Sequence, residues 1–194
     1  MPRIRSFFAT QIYRAEMAVP AGLAKVCLAM ARDDLAGRRW AKAHGYRGYT
    51  SYASLDDLPR RAPEFAALKT HLDRHVRRFA RELQFARSRP SLDSIWVNVM
   101  APGAVHGAHI HPHAAISGTF YVALPKGAAA IRFEDPRLPL MMAAPLKRPG
   151  ARDKPFVTMA PKAGTLLLWE SWLRHDVPQN NARGRRISVS FNYR

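Results

Sequence analysis

Four of the eight histidines fall in one run, VHGAHIHPHAA, as His106, His109, His111 and His113. Imidazoles at that density suit a transition metal, since a neutral ring nitrogen ligates iron, copper, nickel and zinc alike. If the segment is extended where it enters the apolar run ISGTFYVAL, residues two apart point to one face, and His109 and His111 reach one ion together. A third ligand has to come from elsewhere. His175 closes the run GTLLLWESWLRH, in which Leu167, Trp169, Ser171, Leu173 and His175 alternate onto one predicted face. Three ligands on one side of an ion leave positions open for substrate and dioxygen, although zinc also accepts three histidines. His71 and His75 form a competing pair at i and i+4. Their HLDRH lacks the glutamate of the zinc-hydrolase motif and borders the apolar positions Leu72, Val76 and Phe79, so core-edge histidines are expected there. His44 is expected in a loop.

The second feature is an arginine. The final predicted strand, RISVSFNY, puts Arg186, Ser188, Ser190 and Asn192 on one face and Ile187, Val189, Phe191 and Tyr193 on the other. A hairpin through PQNNARG would set positions 175 and 186 nearly opposite each other. A guanidinium beside the proposed metal, with Ser188 two residues on, suits bidentate capture of the far carboxylate of a small acid. Arg183 and Arg185 are then the exposed neighbours.

These side chains need elements to hold them. Before residue 90 the apolar period is helical: residues 21–36 follow Pro20 and stripe Leu23, Val26, Cys27, Met30 and Leu35, and residues 63–86 stripe Phe65, Leu68, Leu72, Val76, Phe79 and Leu83. After it, strands are predicted at Ser94–Met100, Ser117–Leu124, Ala129–Phe133, Phe156–Met159, Gly164–Ser171 and Arg186–Tyr193, separated by Pro/Gly-rich turns. Six to eight strands with no helical interval predict a mainly β fold with flanking helices: a double-stranded β-helix (a cupin-like jelly roll) with the N-terminal helices packed on one sheet. Residues 136–155, with five prolines, read as a long irregular excursion. One domain over 1–194 is expected, 1–90 as a largely helical support and 91–194 as the jelly-roll core.

Composition narrows the classes. The single Cys27 excludes an intrachain disulfide and every multi-cysteine zinc motif, and favours a reducing compartment. The beginning of the chain is too short of apolar residues for a secretory signal, and no run approaches a membrane span, so a cytoplasmic location is expected. The net charge is +17, with 18 basic against 8 acidic residues through residue 90 and 13 against 6 after it, so no basic tail stands apart. Such a chain favours a small-molecule or acidic substrate. Nucleic acid is compatible with the charge, but no aromatic-interleaved basic motif nominates it. A homo-oligomer is equally compatible with the sequence.

Taken in order, FFATQIY, GYTSYASLDDL, WVNVM, HIHPHAAISGTFYV and HDVPQNNARGRRISVSFN resemble the 2-oxoglutarate- and Fe(II)-dependent dioxygenases, and within them a small bacterial family of oxygenases. The resemblance covers nearly the whole chain. It implies a jelly roll carrying His-x-Asp/Glu and a distal His as iron ligands, with Arg-x-Ser on the closing strand holding the co-substrate. Carried over, His109 is the first ligand, His175 the distal one, and Arg186 with Ser188 the clamp. Here His111 stands at the carboxylate position, either as a third neutral ligand or turned away to leave a two-histidine site. Tyr121, Asn98, Ser117 and Asn192 become further candidates for co-substrate contact, and Trp169 for a cavity wall or the core. The implied reaction decarboxylates 2-oxoglutarate to succinate and hydroxylates an unidentified substrate. Two alternatives remain: a three-His cupin-type dioxygenase without 2-oxoglutarate, and a non-enzymatic basic metal-containing binding module.

Overall fold

The computed structural model describes residues 8–86, 89–137, 146, 148–151 and 154–194. In chain order the elements are β1 (Ile12–Glu16), α1 (Leu23–Asp33), α2 (Leu35–Ala43), β2 (Gly48–Thr50), α3 (Leu58–Arg61), α4 (Pro63–Glu82), β3 (Leu92–Met100), β4 (His106–His109), β5 (Ile116–Ala123), β6 (Ile131–Glu134), β7 (Phe156–Met159), β8 (Thr165–Glu170), β9 (His175–Val177) and β10 (Arg186–Tyr193). They form two antiparallel sheets, a major one ordered β1-β8-β5-β10-β3-β2 and a minor one ordered β4-β9-β6-β7. This is the jelly-roll arrangement expected from the strand pattern.

The period-two alternation of the central strands decides which face does what. On β10, Ile187, Val189, Phe191 and Tyr193 join a large apolar cluster with Phe65, Leu68, Leu72, Val76 and Phe79 of α4, so the helix covers the outer face of the major sheet. Each fully buried apolar side chain there contributes about 1.5–3 kcal/mol relative to exposure. Side chains of the two flanking strands close over β5, which needs a residue without a side chain there: a Cβ on Gly118 would lie 2.5 Å from the Phe191 ring on β10 and 2.6 Å from Leu168 on β8. The opposite face of the sheet carries Arg186 and Ser188 inward, and a second apolar cluster (Tyr121, Ile131, Phe133, Leu167, Trp169, Leu173) joins the two sheets.

Several expectations are corrected. The predicted helix over 21–36 is two helices, because Asp34 caps the end of α1 and the start of α2, its carboxylate accepting from Gly37 N–H at 3.0 Å. A side chain that bonds its own backbone in this way competes with helix continuation. Leu35 therefore leaves the stripe and is exposed. The helix expected over 63–86, α4, ends at Glu82, with Gln84 in a left-handed conformation just beyond it. The first 90 residues are not only helical: β1 and β2 form the two edges of the major sheet. β2 begins on Gly48, at φ 134°, where a Cβ would meet the Val99 carbonyl at 2.2 Å.

The run from Leu167 to His175 is not one strand. β8 ends at Glu170, and residues 171–174 carry the chain from the major to the minor sheet. Likewise β9 and β10 do not form a hairpin: β10 pairs with β3 and β5, while His175 lies opposite His109 on β4 and Phe133 on β6. The expected excursion over 136–155 falls largely outside the described residues.

Candidate active site

His109 ends β4, and His175 sits directly across from it in the minor sheet. His111 lies just past β4, its backbone N–H bonded at 3.0 Å to the carbonyl of Ser171 in the turn leading to β9. The two stretches of chain are thus held together by backbone hydrogen bonds, and the rings converge. Candidate ligand nitrogens of His109, His111 and His175 all lie within 4.8 Å of one another. His111 is turned inward, with its Nε2 3.4 Å from that of His175.

Second contacts fix the tautomers. Nδ1–H of His109 donates to the Gly107 carbonyl at 2.8 Å, and Nδ1–H of His175 to the Leu173 carbonyl at 2.9 Å, which makes Nε2 the unprotonated nitrogen of each ring, the atom that could ligate an ion. Burial, reinforced by the neighbouring imidazoles, pushes His175 down to about 3 and His111 to about 4. Burial also lowers His109, against the opposing pull of the Gly107 bond. All three rings are therefore neutral, the form that binds a metal.

His106 is the residue that sequence reasoning missed. Its ring stacks on His109 at 4.6 Å, nearly parallel, and burial together with His109 and Arg186 lowers it to about 4. Its offset of three from His109 breaks strand parity, but the β4–β9 pairing slips in register between His106 and His109, which turns both to one side. Density of histidine was the available signal. His113 is exposed, and His44 lies in the turn just past α2, as expected, with its ring stacked on Trp40 at 4.0 Å. His71 is exposed, and His75 is bonded to the Tyr13 hydroxyl at 2.8 Å. Among the described residues this pair joins no metal-binding group.

Arg186 is buried, 2% exposed, and its partners are the Ala129 carbonyl (3.2 Å), Ser188 Oγ (3.2 Å) and Met100 Sδ (3.4 Å). No carboxylate among the described residues pairs with it, whereas Arg183 and Arg185 are exposed as expected. Its guanidinium also lies 4.9 Å above the Tyr121 ring. A small cavity of about 30 Å³ brings together Arg186, Ser188, Tyr121, Asn98, Trp169 and the three histidines. Ser117 does not line it; its hydroxyl bonds Ser171 and Asn192 at 2.8 Å each. Asn192 faces instead a larger outer cavity of about 500 Å³, which shares Trp96, Asn98, His106, His109 and His111 with the inner one.

Four buried polar side-chain atoms among the described residues lack a hydrogen-bond partner: Tyr46 Oη, Asn98 Oδ1, Tyr121 Oη and Trp169 Nε1. Each belongs to a residue lining one of these two cavities. Buried polar groups are ordinarily paired, so orphans gathered round a cavity mark where a bound group supplies the partner.

Jelly-roll sheets enclosing convergent imidazoles are the architecture of mononuclear-metal oxygenases. The family described as "Putative 2OG-Fe(II) oxygenase" matches residues 94–192, and the chain belongs to it. Iron and 2-oxoglutarate are the cofactors of that family. No curated protein matches the sequence. Solved structures do, among them a Pseudomonas putida prolyl-4-hydroxylase (17% identity, 95% of this chain and 92% of that one, TM-score 0.55). EctD from S. alaskensis is similar at 15% identity over 95% and 72% of the two chains (TM-score 0.62). The nogalamycin epimerase SnoN, solved with Fe3+ and alpha ketoglutarate, matches at 17% identity over 95% and 78% (TM-score 0.54). At these identities the likeness is one of fold.

The residues present fit both cofactors chemically. Three neutral imidazoles suit Fe(II) with positions left open, and a buried cation without a counter-anion suits a dicarboxylate. No helix among the described residues is long and apolar enough to cross a membrane.

Proposed function

We propose that the protein is a 2-oxoglutarate- and Fe(II)-dependent dioxygenase in which His109, His111 and His175 hold the iron, and Arg186 with Ser188 binds the carboxylate of 2-oxoglutarate far from the metal. The observation that carries this reading is the buried Arg186 guanidinium, which has no carboxylate partner and lines the same cavity as the three imidazoles. A charge taken out of water costs several kcal/mol; its neutral hydrogen-bond partners offset that cost but supply no counter-charge, which a dianionic co-substrate would bring. When bound, the iron and keto acid supply oxidation by dioxygen coupled to decarboxylation: R–H, 2-oxoglutarate and O2 become R–OH, succinate and CO2.

The chain's own residues do the rest. The Gly107 and Leu173 carbonyls orient two of the ligating rings, so the imidazoles meet the ion without reorganisation. Ser188 holds the guanidinium from the same strand. The Tyr121 hydroxyl and the Trp169 indole N–H, both unpartnered, are donors for the co-substrate oxygens. Phe133 and Trp169 pack on His175 at 5.9 and 4.7 Å and keep water from that side of the site. The inner cavity is smaller than the keto acid, so binding must open its lining. The flexible Met100 side chain against Arg186 is suited to yield.

A three-His dioxygenase without co-substrate shares the triad but leaves the Arg186 charge with no counter-anion. A non-enzymatic metal-containing binding module does the same. The test is an anaerobic titration of Fe(II) with and without 2-oxoglutarate, followed by the weak visible charge-transfer band of the chelate, and then succinate formation in air. The band should need both components and should be lost in Arg186→Ala. Oxygen uptake indifferent to 2-oxoglutarate overturns the proposal in favour of the cupin-type reading. Salt-sensitive binding of an acidic partner with no oxygen uptake favours the binding module.

A further inference from the structure

The outer cavity has a lining unlike the rest of the molecule. Nearly a quarter of the chain is charged, yet among the described residues none of the sixteen around this cavity is Asp, Glu, Lys or Arg. A line of rings runs through it toward the histidines. Trp40 on α2 lies 6.1 Å from Tyr52, Tyr52 lies 5.2 Å edge-to-face from Trp96 on β3, and Trp96 lies 5.8 Å from His111. His44 backs the far end, its ring stacked on Trp40 and its Nδ1 bonded to the Trp40 carbonyl at 2.8 Å. The rim is apolar as well: Tyr52, Val105 and Ile110 are each about half exposed to solvent, and all three belong to this cavity. Tyr46 also lines this cavity, and its hydroxyl is buried and without a partner.

Each feature restricts the occupant. Ring edges and faces at these spacings favour a flat π-system, which gains from edge-to-face and offset-stacked contact beyond simple burial. A cation would also be drawn to ring faces, but with no carboxylate among the described lining residues it would lose its hydration without a counter-ion, beside a buried arginine. An aliphatic group gains only the area term. The volume, about 500 Å³, is that of a small-molecule site. We infer that the outer cavity binds the substrate, and that this substrate is an uncharged, planar aromatic small molecule bearing a hydroxyl or N–H for the unpartnered Tyr46 hydroxyl. This rests on the oxygenase reading for its chemistry: the rings lead the aromatic nucleus to His111, where oxidation would occur.

Equilibrium dialysis against a matched series separates the possibilities without turnover. The probes are 2-naphthol, its saturated counterpart decahydro-2-naphthol, and 1-naphthylmethylammonium. The naphthol should bind at least tenfold more tightly than either of the others. Tyr52→Ala, a change at a half-exposed side chain, should remove most of that preference, and Tyr52→Phe should retain it. Tyr46→Phe should weaken the naphthol severalfold and leave unsubstituted naphthalene unchanged. Equal binding of the saturated alcohol, tightest binding of the ammonium, or a Tyr52→Ala protein that still prefers naphthol overturns the inference. The chelate band of Fe(II) and 2-oxoglutarate, measured on the same samples, keeps the two readings apart. A normal band with no aromatic preference removes the substrate class alone, and aromatic preference without the band removes the oxygenase chemistry alone.

Discussion

Replacing Arg186 by methionine should separate what the residue does for the ligand from what it does for the fold. The guanidinium is 2% exposed and is held by two oxygen acceptors at 3.2 Å and one thioether sulfur at 3.4 Å. Hydrogen bonds from a charged donor contribute about 1.5–3 kcal/mol each. The two oxygen acceptors therefore return about 3–6 kcal/mol, against a desolvation cost of several kcal/mol. The balance in the ligand-free protein is close to zero. Methionine has similar length and no charge, so its main cost is the Ala129 carbonyl left unpaired, and the net change should be within about 2 kcal/mol. That is small beside the roughly 2–5 kcal/mol of a large-to-small core substitution. Binding of 2-oxoglutarate should suffer far more, because a desolvated charge pair is lost: at least about 3 kcal/mol, or roughly a hundredfold in Kd. Urea unfolding under anaerobic conditions at fixed Fe(II) reads both quantities. At 2-oxoglutarate a hundred times the unmodified Kd, the unmodified protein should gain about 2.7 kcal/mol and the variant about 0.4 kcal/mol. A variant stabilised by the keto acid as strongly as the parent refutes the clamp. A ligand-free variant that loses more than about 4 kcal/mol shows that the arginine is structural.

Tyr121→Phe removes an unpartnered buried hydroxyl, so thermal stability should hold or rise slightly while 2-oxoglutarate affinity falls about tenfold, as calorimetry would show. His111→Ala should weaken Fe(II) binding at least tenfold, and His113→Ala, at an exposed position outside the triad, should leave it unchanged by the same anaerobic titration. Gly118→Ala places a methyl 2.5 Å from Phe191 and should cost about 1–3 kcal/mol in urea unfolding. Asp34→Asn tests the acid side. Burial raises the Asp34 pKa, but bonds from Gly37 N–H, Ser54 and Tyr49 outweigh it, so the group titrates below its ordinary value when folded. Its contribution is then complete above the unfolded-state pKa of about 3.9 and disappears as pH drops through the folded value. The Asn variant should lose about 1 kcal/mol at neutral pH and show a shallower loss of stability in acid.

The candidate ligands His109, His111 and His175 and the candidate clamp residues Arg186 and Ser188 could be singled out from the sequence, because clustered histidines and a strictly alternating strand are local patterns. The reasons offered for their meeting were partly mistaken. No hairpin joins 175 to 186, and no single strand runs from Leu167 to His175; the turn at 171–174 transfers the chain between sheets and brings His175 opposite His109. His106 was hidden by a register slip that strand parity does not show. Ser117 and Asn192 carry the expected polar types on the expected face, yet they bond each other, and only the three-dimensional arrangement shows which polar side chains keep a free valence.

Periodicity and composition were enough for the mainly β architecture, the covering helix α4 and the chemical kinds present at the site, since alternation of side chains along a strand or helix is a property of neighbours in the chain. The outer cavity was invisible in that way. Trp40, Tyr46 and Tyr52 belong to the part of the chain read as largely helical support, none of them singled out, and they meet Trp96 and His111 because β2 pairs with the edge of β3. Which strand an edge segment joins depends on contacts between residues far apart in the chain, each worth little alone, and such a sum is settled only when the whole core packs.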